Sequence, residues 1–243
     1  MHDSDDEHAS SAENNGENLA DSALWTAESY VTTSADSSRS CNEGGEKFSP
    51  TFDALVCWGQ KVDCIRTEAD FTFFQRRPDG FGDEHQAWFD QEIGRWFKAT
   101  YQNRFGLAWG RKGTATVREY LTRLILQNTY FGDDIELVAL VNCGGRLRIL
   151  TSQRHIAGDP APYNEIQDWF RFLGFSRLET AGCIAWYSLA DNLLVADAHE
   201  GNVIRTIRPN FLIPIDLNLI QPNGSLLDAV LERTGHAAPT DSN

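Results

Sequence analysis

The stretch LVADAHEGNVI, residues 194–204, decides how we interpret this chain. An apolar segment ends at Asp197, a short polar loop follows, and Asn202 precedes the next apolar segment. Further along, the apolar segment Ile213-Pro214-Ile215 ends at Asp216. Because two strands joined by a short turn lie side by side, we expect Asn202 and Asp216 to be neighbours. Amide and carboxylate oxygens suit Mg²⁺, and Asp197 in the same loop is suited to accept a hydroxyl proton or to orient the hydroxyl.

The same residues also have a purely structural interpretation. Asp, Asn and Gly favour turns, so Asp197 and Asn202 are also compatible with an ordinary connection between strands. Asp216 is equally compatible with a simple strand end. For His199, we favour a hydrogen bond that stabilises the loop over a role as a metal ligand.

The regular elements around this loop are short and of both kinds. Apolar residues at three- and four-residue spacing predict helices, and short apolar runs separated by turn residues predict hairpins. The order of elements is α+β, without strict alternation of strand and helix. The predicted strand pairs are 87–89 with 95–99, 135–141 with 146–150, 184–187 with 193–195, and 203–206 with 211–215. The predicted helices are 116–128, 164–173 and 226–233, the last capped by Ser225.

The pattern Asp-x-His-x-Gly-Asn at 197–202, followed by Asp216, resembles the catalytic loop of the protein-kinase-like superfamily, especially its aminoglycoside-phosphotransferase branch. The resemblance implies that Asp197 is the catalytic aspartate. It further implies that Asn202 and Asp216 hold Mg²⁺ on the phosphates of ATP. The residues after Asp216 are Leu217-Asn218, so the usual glycine of the metal-binding motif is missing.

The resemblance also implies a nucleotide-binding half upstream of the loop. Lys98, on an apolar strand, would contact the phosphates, and Glu119, in the first turn of the next helix, would form an ion pair with Lys98. Gly80 and Gly82 would form a reduced glycine-rich loop. Ser152 and Gln153 would contact the adenine through their backbone. The alternatives are a solvated strand lysine, an ordinary first-turn glutamate favoured by the helix dipole, and a plain loop at the glycines.

A narrower resemblance concerns the predicted kinases of polyvalent proteins from phages and mobile elements. The segments that carry it are Glu84-His85, the strand 95–100, Glu119-Tyr120-Leu121 and residues 147–153. It extends over roughly residues 68–220. The implied fold is a reduced, two-lobed, kinase-like α+β fold, with an antiparallel sheet in the N-lobe and a truncated C-lobe, because no long series of helices is expected after Asp216.

These interpretations divide the chain into four parts. We expect an acidic disordered tail at 1–50, an N-lobe at 51–152, a reduced C-lobe at 153–237, and a short tail at 238–243. The first fifty residues hold 11 acidic and two basic residues, and few large apolar side chains, a composition typical of disorder. The alternative is a docking motif for a protein partner around Leu24-Trp25 and Tyr30-Val31.

Charge and cysteine content limit the class of protein. A formal net charge of −14 makes nucleic acid an unlikely partner and argues against binding to anionic membranes. No apolar run is long enough to predict a membrane span. The five cysteines form no Cys-x-x-Cys pair, so we expect a reduced, cytoplasmic protein without disulfides.

Three functions are compatible with the sequence. The first is an ATP- and Mg²⁺-dependent phosphotransferase whose phosphoryl acceptor is unknown. The second is a catalytically inactive pseudokinase that acts as an interaction module. The third is a metal-dependent hydrolase that uses Asp197, His199 and Asp216, and this leaves Lys98 without a role.

Overall fold

A computed structural model describes residues 19–36, 50–106, 108, 113–180 and 183–236. The helices are α1 (Leu19–Asp36), α2 (Pro50–Lys61), α3 (Val117–Phe131), α4 (Tyr163–Phe172) and α5 (Gly224–Thr234). The strands are β1 (Ile65–Thr67), β2 (Gly80–Phe81), β3 (His85–Asp90), β4 (Arg95–Thr100), β5 (Glu136–Asn142), β6 (Leu147–Arg154), β7 (Gly158–Pro160), β8 (Ser176–Thr180), β9 (Cys183–Ser188), β10 (Leu193–Ala196), β11 (Val203–Thr206), β12 (Leu212–Pro214) and β13 (Asn218–Ile220). The predicted α+β class is confirmed.

The first half of the chain forms a six-stranded sheet in the order β1-β5-β6-β4-β3-β2. All of its neighbouring strands are antiparallel except β1 and β5, which are parallel. The predicted hairpins at 87–99 and 135–150 are therefore confirmed as β3–β4 and β5–β6. Register pairs Lys98 with Ala87 on one side and with Thr151 on the other, so Lys98 lies inside the sheet and not at its edge.

Helix α3 lies against this sheet and has clear sequence signals at both ends. Thr116 and Glu119 form a capping box at its start, and Gly132 ends it in a left-handed conformation, with φ of 63°. The predicted apolar face, which includes Tyr120, Leu121 and Ile125, is buried in the main core. The helix therefore presents its other faces to the loops that surround the site described below.

Helix α1 corrects the expectation of disorder for residues 19–36. Leu24, Ala27 and Val31 recur at helical spacing, and each is fully buried in the same core as α2 and α3. The Glu28 carboxylate accepts a hydrogen bond from the hydroxyl of Thr122 on α3 at 3.3 Å. Part of the alternative docking motif thus packs on its own chain. The rest of the expected tail, residues 1–18 and 37–49, lies outside the described residues.

The second half of the chain forms two small sheets, in the orders β13-β10-β9-β8 and β12-β11-β7. Helix α4 places Phe170 in a core that includes Trp186 and Val195, and α5 packs against residues of the first of these sheets. Strand β13 begins two residues after Asp216 and pairs directly with β10, so the chain returns at once to the sheet. The predicted cap of α5 was wrong by two residues, since Asn223 and not Ser225 occupies that position.

Two further expectations concern cysteines and membranes. Cys57 on α2 is disulfide-bonded, so the expectation that no disulfide forms was wrong. Cys64 and Cys143 are free. Among the described helices, none combines the length and apolarity that a membrane crossing requires.

Candidate active site

The strands of the two halves enclose a pocket of about 740 Å³. Six of the residues predicted for the site line it: Gly80, Gly82, Lys98, Asp197, Asn202 and Asp216. They come from the β2–β3 hairpin, from β4, from the loop between β10 and β11, and from the connection that follows β12. The structure thus brings together side chains that are more than 100 positions apart in the sequence.

Lys98 faces the segment that carries Asp216. Its Nζ lies 3.7 Å from Asp216 Oδ2 and donates a hydrogen bond of 3.3 Å to the carbonyl oxygen of Ile215. Burial favours the neutral form of Asp216, but the positive charges of Lys98, His85 and Arg123 together outweigh this effect and hold the pKa of Asp216 below its ordinary value. Asp216 is therefore ionised throughout the neutral range and is available as a metal ligand.

Asp197 lies one residue after β10, in the left-handed region with φ of 61°. This backbone conformation is unfavourable for an aspartate, and backbone strain of this kind is common at functional sites. Asn202 holds the loop, because its Nδ2 donates to the Asp197 carbonyl oxygen at 2.9 Å and to Asp197 Oδ2 at 3.0 Å. Partial burial raises the pKa of Asp197, although His199 and the Asn202 hydrogen bond oppose the shift. The carboxylate is therefore oriented and more basic than an exposed one.

Asn202 and Asp216 are neighbours, as expected. Strands β11 and β12 pair Val203 with Pro214, and the amide of Ile215 donates to the Asn202 carbonyl oxygen at 2.9 Å. The side-chain amide nitrogen of Asn202 donates to Asp197. These hydrogen bonds fix the orientation of the amide group, and its oxygen is the atom suited to bind a cation. One amide oxygen and one ionised carboxylate form a donor set that fits Mg²⁺, which keeps water or phosphate oxygens as its other ligands.

The rest of the predicted loop is held by local hydrogen bonds. The ring nitrogen Nδ1 of His199 accepts a hydrogen bond of 3.0 Å from the Gly201 amide, as the preferred interpretation of His199 required. Among the described residues, no group of three or more His, Cys, Asp and Glu side chains is arranged to hold a metal.

Glu119 is not brought to the pocket. Its Oε2 accepts a 2.7 Å hydrogen bond from the Thr116 amide as part of the capping box, and it lines a separate cavity beside α3. In the described part of the chain, the carboxylate recorded within 4 Å of Lys98 is that of Asp216. Within the described residues, Lys98 and Glu119 therefore do not form the expected ion pair, and Glu119 takes part in the helix cap instead.

Ser152 and Gln153 also do not line the pocket. Strand β6 runs on to Arg154, whose amide donates to Asp134 Oδ1 at 2.9 Å, so both residues lie within the sheet and are buried. Their backbones pair with Phe97 and Trp96 of β4. The strand therefore extends past the expected boundary at residue 152, and the connection to the second half begins at His155.

A buried ion pair between Glu84 and Arg123 lies in the pocket wall. It was not predicted from the sequence. Arg123 lies one turn after Glu119 on α3, and its guanidinium donates to both carboxylate oxygens of Glu84, at 3.0 and 2.5 Å. The side chains are only 6% and 17% exposed. An arginine four positions after Glu119 was the available signal, since residues at this spacing share a helix face.

His85 lies beside this pair and beside Lys98. Its Nε2 is 2.9 Å from the hydroxyl of Tyr120, and burial lowers the pKa of His85 to about 4, with the positive charges of Lys98 and Arg123 adding to the effect. The imidazole is therefore neutral at pH 7. In the described part of the pocket, the positive charges are those of Lys98 and Arg123.

The β2–β3 hairpin forms one wall of the pocket. The amide of Gly82 donates to the His85 carbonyl oxygen at 3.0 Å, and the hydroxyl of Tyr101 donates to the Gly82 carbonyl oxygen at 2.8 Å. A methyl group at Gly82 would meet no heavy atom within 4 Å. Between Gly80 and Gly82, Phe81 is 67% exposed. This wall of the pocket is therefore open at Gly82, where a ligand can approach the backbone closely.

The geometry can be compared with known proteins. The model of the family described as "Serine/Threonine/Tyrosine Kinase found in polyvalent proteins" matches residues 108–220. The matched segment contains Asp197, Asn202 and Asp216 and begins after the strand that carries Lys98. Neither a curated protein nor a solved structure gives a significant match. The chain therefore contains a kinase-like domain that resembles the kinase of polyvalent proteins.

Proposed function

We propose that this pocket binds ATP with Mg²⁺ and transfers the terminal phosphoryl group to a hydroxyl acceptor. The observation that carries the proposal is the convergence of Lys98, Asp197, Asn202 and Asp216 on one open pocket of about 740 Å³. Each of these side chains has the chemistry that its proposed role requires. The family match over 108–220 supports the same reaction class.

The charges of the pocket suit a triphosphate together with Mg²⁺, because four carboxylates (Asp83, Glu84, Asp197 and Asp216) line it beside two cations. Lys98 and Arg123 supply two positive charges on one side, and both are held by carboxylates that fix their positions. Asn202 and Asp216 would hold the Mg²⁺, which when bound neutralises phosphate charge and orients the phosphates. On this proposal, a nucleotide takes over part of the interaction between Lys98 and Asp216, whose 3.7 Å separation leaves room for rearrangement.

Asp197 would accept the proton of the acceptor hydroxyl. The acceptor oxygen forms a bond to the γ-phosphorus, the bond between that phosphorus and the β,γ-bridging oxygen breaks, and ADP leaves. The hydroxyl proton passes to the Asp197 carboxylate, whose Oδ2 is held by Asn202 at 3.0 Å. A raised pKa favours this proton transfer.

A transfer assay tests the proposal without knowledge of the acceptor. The protein is incubated with γ-labelled ATP and Mg²⁺, and we measure labelled phosphate released to water and label incorporated into the protein itself. We expect Asp197→Asn and Asp216→Asn to reduce both signals at least about 100-fold. The matched control is Asp168→Asn, an exposed aspartate on α4 that pairs with Arg171, and it should retain the wild-type signal. Equal signals from wild type and both site variants would refute the assignment.

Two other functions remain as outcomes of related measurements. Nucleotide binding without any transfer would favour the pseudokinase, for which the position of Glu119 and the short path from Asp216 to β13 are the supporting observations. Cleavage of a phosphodiester without ATP would favour the metal-dependent hydrolase. The proposal also includes a phosphoryl acceptor that is not identified, a protein partner that binds the acidic segment, and a cytoplasmic location.

A further inference from the structure

Five polar groups form a buried network directly behind the metal-binding segment. Asp133, in the connection between α3 and β5, accepts hydrogen bonds at a single oxygen, Oδ2, from the side chains of Gln127 at 3.2 Å and Gln153 at 2.5 Å. The Nε2 of Gln127 also donates to the Pro214 carbonyl oxygen at 3.0 Å. The Nε2 of Gln153 donates to the Ile215 carbonyl oxygen, also at 3.0 Å.

The chemistry of the partners determines how both glutamines are oriented. Each Nε2 faces two acceptors, a carboxylate oxygen and a backbone carbonyl, so only the amide nitrogen fits there. Each amide group therefore donates one hydrogen bond to Asp133 and one to a backbone carbonyl oxygen of the segment Pro214-Ile215. Both glutamines are almost fully buried, at 2% and 4% exposure, so water does not compete for these bonds.

The network carries a cost that packing alone does not explain. The Oε1 atom of Gln127 is buried, and no described residue donates a hydrogen bond to it. A buried acceptor without a partner is destabilising. An apolar side chain of the same size would avoid this cost, but it would leave Asp133 Oδ2 and the Pro214 carbonyl oxygen without the donor that Gln127 supplies.

The position of the network shows what it holds. Gln127, Asp133 and Gln153 belong to the first half of the chain, whereas Pro214 and Ile215 belong to the second and immediately precede Asp216. Lys98 adds a second donor to the Ile215 carbonyl oxygen, at 3.3 Å. The backbone before the metal-binding aspartate is therefore fixed from one side by side chains of the opposite half.

We propose that Gln127 and Gln153, both anchored on Asp133, are positioning residues that hold Asp216 in its metal-binding position. They act through the carbonyl groups of Pro214 and Ile215 and touch neither nucleotide nor metal. Strand β13 follows Asp216 almost directly, so the clamp fixes the segment before Asp216 and the sheet fixes the segment after it. The inference rests on the proposed function for its consequence, but its structural part stands independently of it.

The first measurement needs no ligand. The Ile215 amide donates to the Asn202 carbonyl oxygen, so its hydrogen exchange, measured by NMR on the full chain, reports how firmly this segment is held. The test variant is Gln127→Met/Gln153→Met, which keeps side-chain length and removes both donors. The control is Gln91→Met in the exposed β3–β4 turn. We expect exchange at Ile215 to be about tenfold faster in the double variant and unchanged in the control.

The second measurement separates positioning from general stability. Binding of ATP is measured with increasing Mg²⁺ and also without metal. We expect the double variant to need about fivefold more Mg²⁺ for half-maximal effect, with unchanged affinity for metal-free ATP. If the double variant does not fold, the single variant Gln153→Met is measured in the same way.

The outcomes distinguish the two claims. Exchange at Ile215 within about twofold of the control would overturn the clamp, as would an unchanged Mg²⁺ requirement in a variant that binds ATP. If the wild type binds no ATP but exchange at Ile215 rises as expected, the proposed function fails and the structural clamp stands.

Discussion

The buried pair between Glu84 and Arg123 gives the largest stability effect that we expect from a single charge removal. Glu84→Gln leaves a guanidinium that is 6% exposed without its carboxylate. Removing one partner of a buried ion pair costs about 3–5 kcal/mol, because the remaining charge is buried and uncompensated. For a chain of this size, each kcal/mol lowers Tm by about 2–4 °C. Glu84→Gln should therefore lower Tm by about 6–20 °C.

A double-mutant cycle separates the pair from the rest of the site. We measure the free energy of unfolding by urea titration at pH 7.5 for wild type, Glu84→Gln, Arg123→Met and the combined variant. Because the second substitution removes the charge that the first leaves unpaired, the double variant should be more stable than the sum of the single effects predicts. We expect a coupling energy of about 2–3 kcal/mol.

The reasoning fails if the effects of the single substitutions simply add. Additivity within about 0.5 kcal/mol would mean that the two groups do not depend on each other. Losses below about 1 kcal/mol for both single variants would mean that solvent reaches the pair and that its burial is not what holds it.

Three further predictions concern other parts of the fold. Burial lowers the pKa of His85 to about 4 in the folded chain, from an ordinary value of 6.5, so between these pH values only the unfolded chain takes up a proton. The free energy of unfolding should therefore fall by up to about 3 kcal/mol as pH drops from 6.5 to 4, and much less in His85→Gln. Equal pH profiles for the two proteins would contradict this. Leu24→Ala, at a fully buried position of α1, should cost about 2–5 kcal/mol in urea titration. A loss below about 0.5 kcal/mol would mean that α1 does not pack. Gly106→Ala should cost more than about 1 kcal/mol, because φ is 82° and the new methyl group would lie 2.9 Å from the Glu84 carboxylate. The control is Gly82→Ala, where there is space for a methyl group. Equally small losses in the two variants would contradict the prediction.

The parts of the site that could be predicted from sequence are those set by local pattern. The loop from Asp197 to Asn202 and the return to Asp216 depend on a strand, a tight turn and a second strand, and each has its own signal. Because β11 and β12 are consecutive, their pairing follows from a short connection. The neighbourhood of Asn202 and Asp216 could therefore be deduced without knowledge of the rest of the fold.

The charged residue that α3 turns toward the pocket could not be predicted in this way. Glu119 and Arg123 lie on one face of the helix, and spacing alone does not decide which of them faces the pocket. The capping box with Thr116 engages Glu119 locally, and only the long-range approach of Glu84 brings Arg123 into the pocket wall. Competition between a local and a distant partner is not visible in residue spacing.

The limits of two segments were missed for a related reason. Acidic and serine-rich composition predicted disorder around α1, but three apolar side chains at helical spacing find a core that other elements supply. Strand β6 extends to Arg154 because its pairing with β4 continues as far as Arg95, and the Asp134 side chain accepts the Arg154 amide on the other side. In both cases tertiary contacts outweigh local composition.

The most direct test of the central claim is calorimetric titration with ATP, with and without Mg²⁺, on wild type and Asp216→Asn. If Asn202 and Asp216 hold a metal on a bound triphosphate, Mg²⁺ should tighten ATP binding by wild type at least about tenfold and should have little effect on the variant. Equal tightening by Mg²⁺ in both proteins, or no ATP binding by wild type at all, would contradict the claim that these side chains form a nucleotide and metal site.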